Sequence, residues 1–343
     1  MREVIEFPGS DDDWTAVEFE SEGWQQNRLD EVLELAERCG SSALLVLHRG
    51  RIVAERYWND VASGLDAAGR ESFARFNLAQ DRAGRPIEDV GAIQNCVTAV
   101  LLAIAGDRGI IDFNHPVQEY LGPGWSSASL DQEREIAIWH LMSMTSGLDH
   151  ELNYAAPAGV DWLYNPRAYQ HLIRLLAGCS GLDPDAMLRG WLGDRIGLAN
   201  TRWVARDWSG SAAFIGLATT ARDLGRFALL IQNRGRWRNE EVVSADALDG
   251  LLNPSQTMNP AYGLLWWLNG RESFVVPAGG QRVAGPLLPA APRDLVLGFG
   301  ALNRQLAISW EQELSLVRLG ASIAEPAGVF GAIWSHLRAA VPV

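Results

Sequence analysis

The chain has 343 residues, of which 48% are hydrophobic and 21% are charged, as in an ordinary globular protein. Its formal net charge is −13, and all 29 of its Lys+Arg residues are arginine. This acidic balance argues against nucleic acid and anionic membranes as partners, because both require a basic face. No run approaches the ~18 apolar residues of a membrane span. The acidic N-terminal segment lacks the apolar stretch of a secretory signal, so we expect a cytoplasmic protein.

The first part of the chain predicts a helix followed by a β-hairpin. Residues 1–24 form an irregular, acidic lead-in. Apolar residues at helical spacing over residues 28–39 predict a helix that ends at Gly40. Two strand-like runs, residues 42–48 and 51–58, flank a short turn that contains glycine, and together they predict a hairpin.

Helical patterns dominate the middle of the chain, and strand patterns return near its end. Residues 59–90 are polar and are predicted to be irregular, and residues 277–293 are predicted to be a loop. Helices are predicted over residues 92–108, 136–144, 166–177, 184–192, 221–233 and 327–340. Strands are predicted over residues 263–268, 294–298, 305–310 and 314–319.

This order of elements predicts an α/β protein of the α+β type, in which strands from both ends of the chain form one sheet. We expect the lead-in 1–24, a sheet domain made of 25–90 and 235–343, and a mostly helical domain, 91–234. A pocket is expected between the two domains. Three widely spaced cysteines indicate neither a disulfide framework nor a zinc site, and no glycine-rich nucleotide motif is present, so we expect no metal and no cofactor.

Four segments carry a resemblance to a known family. Residues 89–102 resemble the start of the catalytic helix of the penicillin-recognising serine hydrolases, which include class C β-lactamases, DD-peptidases and related esterases. Residues 107–121, 136–148 and 215–224 resemble further segments of the same proteins, which contain helix caps and packed turns. The resemblance covers most of the chain and implies a β-lactamase/DD-peptidase-like fold with an antiparallel sheet flanked by helices.

The resemblance also implies that the reacting groups are missing. Family members carry Ser-x-x-Lys at the start of this helix, with serine as the nucleophile and lysine as its proton acceptor. Here Ala92 and Asn95 occupy those two positions, and Gln94, which lies between them, is expected to contact a ligand. We therefore expect the standard hydrolytic activity to be lost and the pocket to be retained.

Two further elements of the family site have counterparts in this chain. The pair Tyr164-Asn165 resembles the tyrosine element, with Trp162 and Asn165 expected to contact a ligand and His150 expected at the pocket mouth. Without a lysine nearby, Tyr164 is expected to keep a pKa near ~10 and to donate a hydrogen bond, although a purely structural tyrosine is an equal alternative. Arg167 is a candidate replacement for the missing positive charge.

Gly300 and Ala301 occupy the place of the third family element, a strand motif. The backbone N–H groups of Ala301 and Ala92 would then form an oxyanion hole that does not depend on side chains. An ordinary entry into an edge strand is the alternative interpretation of Gly300-Ala301.

Other nucleophiles are disfavoured by the sequence. Cys96 lies one helical turn after Ala92, but no lysine or placed histidine is present to form its thiolate. Ser126, Ser143 and Ser146, with His140 or His150, lack the Gly-x-Ser-x-Gly turn of a nucleophile elbow. Three hypotheses remain: an inactivated hydrolase that retains a pocket for a small ester, amide or other carbonyl compound, a non-hydrolytic enzyme that uses Tyr164 as an acid, or a ligand-binding pseudoenzyme.

Overall fold

The α-helices and strands of the protein were assigned in a computed structural model that describes residues 5–9, 13–209, 214–322 and 326–342. The α-helices in these ranges are α1 Phe19–Glu22, α2 Gln26–Arg38, α3 Ala67–Phe76, α4 Gln94–Asp107, α5 Val117–Leu121, α6 Leu130–Glu133, α7 Ile138–Met142, α8 Pro166–Ser180, α9 Pro184–Leu188, α10 Asp194–Ile196, α11 Ala221–Gln232, α12 Ala245–Leu251 and α13 Pro326–Ala340.

The strands in the same ranges are β1 Ser41–His48, β2 Arg51–Tyr57, β3 Asn77–Gln80, β4 Pro86–Asp89, β5 Arg202–Ala205, β6 Ile215–Thr219, β7 Arg236–Trp237, β8 Glu240–Glu241, β9 Trp267–Leu268, β10 Ser273–Val275, β11 Arg282–Ala284, β12 Val296–Gly300, β13 Arg304–Ser309 and β14 Leu314–Gly320. No helix in the described part of the chain is long and apolar enough to cross a membrane.

A six-stranded antiparallel sheet in the order β2-β1-β14-β13-β12-β9 forms the centre of the fold. Strand β1 pairs with β14 from Ser41 opposite Gly320 to His48 opposite Leu314. Strands from both ends of the chain therefore share one sheet, which confirms the predicted α+β fold. Helix α11 packs against β1, β13 and β14, while α2 packs against β1 and α13. Helix α11 therefore covers this sheet, although its residues fall within the expected helical domain 91–234.

Helix α4 runs through the interior and positions the site. Its residues from Gln94 to Ala105 are all buried, as expected for a helix that is apolar on nearly every side. It packs against α8, α12 and β12, and a 3₁₀ turn, Gly91–Ile93, precedes it. Gly91 has a φ of +59°, and a Cβ atom there would lie only 2.6 Å from the Ala301 nitrogen. Glycine therefore permits the start of α4 to approach the end of β12.

The structure corrects the prediction that residues 59–90 are irregular, and it adds two strands to the mostly helical middle of the chain. Helix α3 and strands β3 and β4 lie in the first segment, and β5 and β6 lie within the second. These four strands form a separate antiparallel sheet in the order β3-β4-β6-β5. They have only four or five residues each, and β4 pairs with β6 across a long stretch of sequence, so no local pattern marks them.

Two smaller predictions near the end of the chain are also corrected. The predicted loop 277–293 contains strand β11, which pairs with β10 in a two-stranded hairpin. Of the predicted strand 263–268, only the last two residues, in β9, are extended and paired. Leu265 has a φ of +65° just before β9, which is incompatible with a continuous strand.

Candidate active site

A cavity of about 440 Å³ lies where the start of α4 meets the end of β12. Ala92 from the 3₁₀ turn, Tyr164 from the segment before α8, and Gly300-Ala301 from the end of β12 all face this one space. Its remaining lining residues come from β9, the β10–β11 hairpin and its flanks, the β12–β13 region and α13: Trp267, Phe274, Val276, Pro277, Leu287, Leu288, Phe299, Asn303 and Phe330.

The three positions inferred from the catalytic motifs are close together. The side-chain amide of buried Asn95 donates a hydrogen bond of 3.2 Å to the Tyr164 hydroxyl. Ala92 lies three residues earlier, on the same turn of the chain, and shares the cavity with Tyr164. Tyr164, Asn95 and Ala92 therefore form one cluster, which offers a phenol, an uncharged amide and a methyl group.

Tyr164 is held in an aromatic environment that disfavours its ionised form. Its ring centroid lies 6.0 Å from that of Tyr169, 6.4 Å from that of Tyr262 and 6.3 Å from that of Trp267. Burial, followed by the neighbouring hydroxyls of Tyr169 and Tyr262, raises the pKa of Tyr164 well above its ordinary value. The expectation of an unshifted pKa was wrong, because it considered the missing lysine and not the desolvation. Tyr164 is a neutral phenol that can donate a hydrogen bond.

Backbone groups at the cavity wall are suited to bind a carbonyl oxygen. The ends of the 3₁₀ turn and of β12 approach so closely that a Cβ atom on Gly300 would lie 2.1 Å from the Val90 oxygen. Within the part of the chain that the structure describes, the N–H groups of Ala92 and Ala301 have no hydrogen-bond acceptor. Two unpaired N–H donors on either side of one junction match the chemical requirement of an oxyanion hole.

Two predicted ligand contacts are corrected, because their polar atoms are already used inside the protein. Asn165 is buried and caps α8, where its Oδ1 accepts a hydrogen bond from the Ala168 N–H at 3.2 Å. Its Nδ2 donates to the backbone oxygen of Asp149 at 2.8 Å. Gln94 is also buried, and its Oε1 accepts from the Arg206 guanidinium at 3.0 Å. Both side chains support the fold around the site and do not line the cavity.

Three other candidates lie outside the cavity lining. Trp162 packs behind it, with its ring centroid 5.6 Å from that of Tyr262 and 5.9 Å from that of Trp267. His150 is exposed in the loop after α7. Arg167, the proposed replacement cation, forms a 2.8 Å ion pair with Glu151.

The alternative nucleophiles are also placed unfavourably. Cys96 is completely buried, and burial raises the pKa of its thiol well above the ordinary value. The Ser143 hydroxyl is buried against that of Thr145 at 2.7 Å. His140 accepts the Ala137 N–H through Nδ1 at 3.0 Å, so this nitrogen is not available as a base. A serine–histidine pair is therefore not formed by these residues.

Sequence reasoning missed most of the apolar wall. Trp267 stacks on Tyr164 with an interplanar angle of 22°, Phe274 comes from β10, and Leu287 and Leu288 come from the segment predicted as a loop. Phe299 lies inside the strand motif, yet its position gave no reason to expect that it would face a ligand. The described residues contain no group of His, Cys, Asp and Glu arranged to hold a metal ion.

Comparison with known proteins agrees with this architecture. The family model described as beta-lactamase matches residues 26–291. No curated protein matches the chain significantly. Among solved structures, a beta-lactamase from Mycobacterium bovis superposes with a TM-score of 0.64 and 17% identity, covering 91% of this chain and 100% of that one.

Two other solved structures show the same fold. A class C beta-lactamase from Rhodobacter sphaeroides superposes with a TM-score of 0.60 and 16% identity, covering 92% of this chain and 99% of that one. An octameric penicillin-binding protein homologue from Pyrococcus abyssi superposes with a TM-score of 0.61 and 13% identity, covering 90% and 76%. At these identities the superpositions establish the fold, and the family model, which matches more than half of the sequence, establishes that the chain belongs to the beta-lactamase family.

Proposed function

We propose that this protein binds a small carbonyl-containing ligand in the cavity at the start of α4 and does not form an acyl-enzyme with it. The observation that carries the proposal is the cluster of Ala92, Asn95 and Tyr164, in which only Tyr164 has an ionisable group. The cavity, its aromatic wall and its two backbone donors are retained around this cluster. We therefore propose that the chain is a ligand-binding protein built on a hydrolase scaffold.

The chemical deficit at the cluster is large enough to abolish standard hydrolysis. A methyl group at residue 92 cannot attack a carbonyl carbon, and the amide of Asn95 cannot take up a proton near neutral pH. Loss of one triad member in a comparable site leaves only a ~10³–10⁴-fold rate enhancement over the reaction in water. Loss of nucleophile and base together costs little more, because the two act as a unit.

The groups that remain are suited to binding. The N–H groups of Ala92 and Ala301 and the hydroxyl of Tyr164 are neutral hydrogen-bond donors at one end of an apolar cavity. A carbonyl oxygen accepts from such donors without any bond being made or broken. The oxygen of an ester, an amide or a ketone satisfies this arrangement equally well.

The restoration of the two missing groups tests the proposal. We expect the double variant Ala92→Ser/Asn95→Lys to hydrolyse activated aryl esters through an acyl-enzyme, and the wild-type chain to be far slower and to form no acyl-enzyme. The single variants Ala92→Ser and Asn95→Lys are matched controls, and each should remain inactive because one group of the pair is absent. Turnover by the wild-type chain, abolished by Tyr164→Phe, would contradict the proposal.

A second candidate is a non-hydrolytic enzyme in which Tyr164 acts as a general acid. The position of Tyr164 in the cavity lining favours it, because a neutral phenol there can donate its proton to a ligand. The two candidates differ in the effect of Tyr164→Phe. A binding protein keeps most of its affinity in this variant, whereas an enzyme loses its turnover and keeps its stability.

A further inference from the structure

The charge of the cavity lining identifies the class of ligand. Building on the proposed binding function, we propose that the ligand is an uncharged, largely apolar molecule with one carbonyl group, and that the cavity discriminates against carboxylates.

The described residues that line the cavity include no charged side chain. Tyr164 and Asn303 are the two with polar side chains, and the amide of Asn303 donates to the Ser322 hydroxyl at 2.5 Å. An anion entering this space would find neutral donors at one end and no cation. Since buried charges in proteins are normally paired, such a site is unfavourable for an anion.

Three buried arginines lie near the site. Two of them are paired with carboxylates, and the third, Arg318, donates to backbone oxygens, including that of Asn303 at 2.8 Å. Arg304 is fully buried, contacts the Glu88 carboxylate at 2.6 Å, and donates to the Ala301 oxygen at 3.0 Å. Arg206 is paired with Asp89 at 2.7 Å. The hydrogen bonds of these arginines go to internal partners and none of the three lines the cavity, so none offers a positive charge to an anion there.

The rest of the lining favours apolar groups. The ring of Phe299 lies between those of Trp267, at 6.2 Å, and Phe330, at 5.8 Å. Phe274 and Leu288 complete the apolar wall. This wall is suited to an aromatic ring or an alkyl chain attached to the carbonyl group.

A carboxylate cannot use this arrangement as well as a carbonyl does. In the proposed binding mode the N–H groups of Ala92 and Ala301 share one ligand oxygen, so the second oxygen of a carboxylate would face apolar side chains. Because each factor of ten in affinity corresponds to about 1.4 kcal/mol, even a small part of the cost of burying an unpaired charge gives a measurable preference. We expect a carboxylate to bind at least about tenfold more weakly than its methyl ester.

The test uses a matched pair of probes, methyl naphthoate and naphthoate, with binding followed by tryptophan fluorescence and by isothermal titration near neutral pH. The ester should bind the wild-type chain more tightly, and added salt should leave its affinity unchanged. Replacement of a lining leucine by arginine, Leu287→Arg, should strengthen naphthoate binding and narrow or invert the preference. The same change at exposed Leu130, which is outside the cavity lining, is the matched control and should alter neither affinity.

The outcomes distinguish a wrong ligand class from a wrong proposed function. Equal or tighter binding of naphthoate by the wild-type chain would overturn the ligand class and leave non-covalent binding intact. Hydrolysis of the ester, or its covalent attachment, would overturn the proposed function. Failure of both probes to bind at millimolar concentration would contradict both proposals. An identical response of the Leu287→Arg and Leu130→Arg variants, with thermal unfolding showing both to be folded, would place the binding outside the cavity and overturn the inference.

Discussion

Gly91 controls the approach of α4 to β12, and its replacement by alanine is the most informative single change near the site. The residue has a left-handed φ of +59°, and an added Cβ would lie 2.6 Å from the Ala301 nitrogen and 3.2 Å from the Ala301 Cβ. The left-handed backbone costs an L-residue about 1–2 kcal/mol. Relief of the contact requires movement of backbone, because a Cβ-to-nitrogen distance this short cannot persist, and overpacking of this kind costs about 1–3 kcal/mol more.

The two terms together predict that Gly91→Ala lowers the free energy of unfolding by about 2–5 kcal/mol. Gly109, after the other end of α4, provides the matched control, since it has a φ of +66° and no heavy atom within 4 Å of an added Cβ. Gly109→Ala should therefore lose only the backbone term of about 1–2 kcal/mol. Urea denaturation measures both values, and probe titration measures binding.

The same movement should separate the N–H groups of Ala92 and Ala301, so Gly91→Ala is expected to lose ligand affinity as well as stability. Gly109→Ala should bind normally at temperatures where it is folded. If the two variants lose equal stability, or if Gly91→Ala binds its probe as the wild-type chain does, the close approach of α4 and β12 does not set the geometry of the site.

Two further predictions concern buried ionisable groups that do not line the cavity. Burial, reinforced by Arg49, lowers the pKa of His48 from its ordinary value near 6.5 to about 4. Between pH 6.5 and pH 4, therefore, this histidine is protonated in the unfolded chain and neutral in the folded one. The contribution of His48 to the free energy of unfolding should therefore be full above about pH 6.5 and fall by about 3 kcal/mol as the pH drops to about 4. In urea denaturation over that range, His48→Gln should lack this part of the pH dependence. Arg206→Met leaves the carboxylate of Asp89 buried without its partner, and should cost about 3–5 kcal/mol in urea denaturation, whereas the double variant Arg206→Met/Asp89→Asn should recover part of that loss.

The elements that local patterns could identify were predicted well. Strands β1 and β2 were predicted within a residue or so of their observed ends, because their apolar runs flank a glycine turn. Helix α4 was predicted from its apolar sequence and its motif together. Strands β4 and β6 were missed because Glu88 pairs with Thr219, and nothing near either residue reports that distant partner.

The candidate site shows the same division between local and distant information. The family resemblance assigned Ala92 and Tyr164 to one site from two short local segments, and in the structure both residues line one cavity. It failed for Asn165, because the motif does not reveal that this side chain caps α8. Trp267 and Phe274 reach the cavity from segments far along the chain, so their contribution depends on tertiary packing and not on any local pattern.

Intact-protein mass spectrometry after treatment with a fluorophosphonate reagent tests the absence of a nucleophile most directly. The wild-type chain should keep its mass, because Ala92 offers no hydroxyl and Cys96 is buried. The Ala92→Ser/Asn95→Lys variant, treated in parallel, should gain the mass of one phosphonyl group. A stable adduct on the wild-type chain, mapped to a serine or to Cys96, would contradict the account.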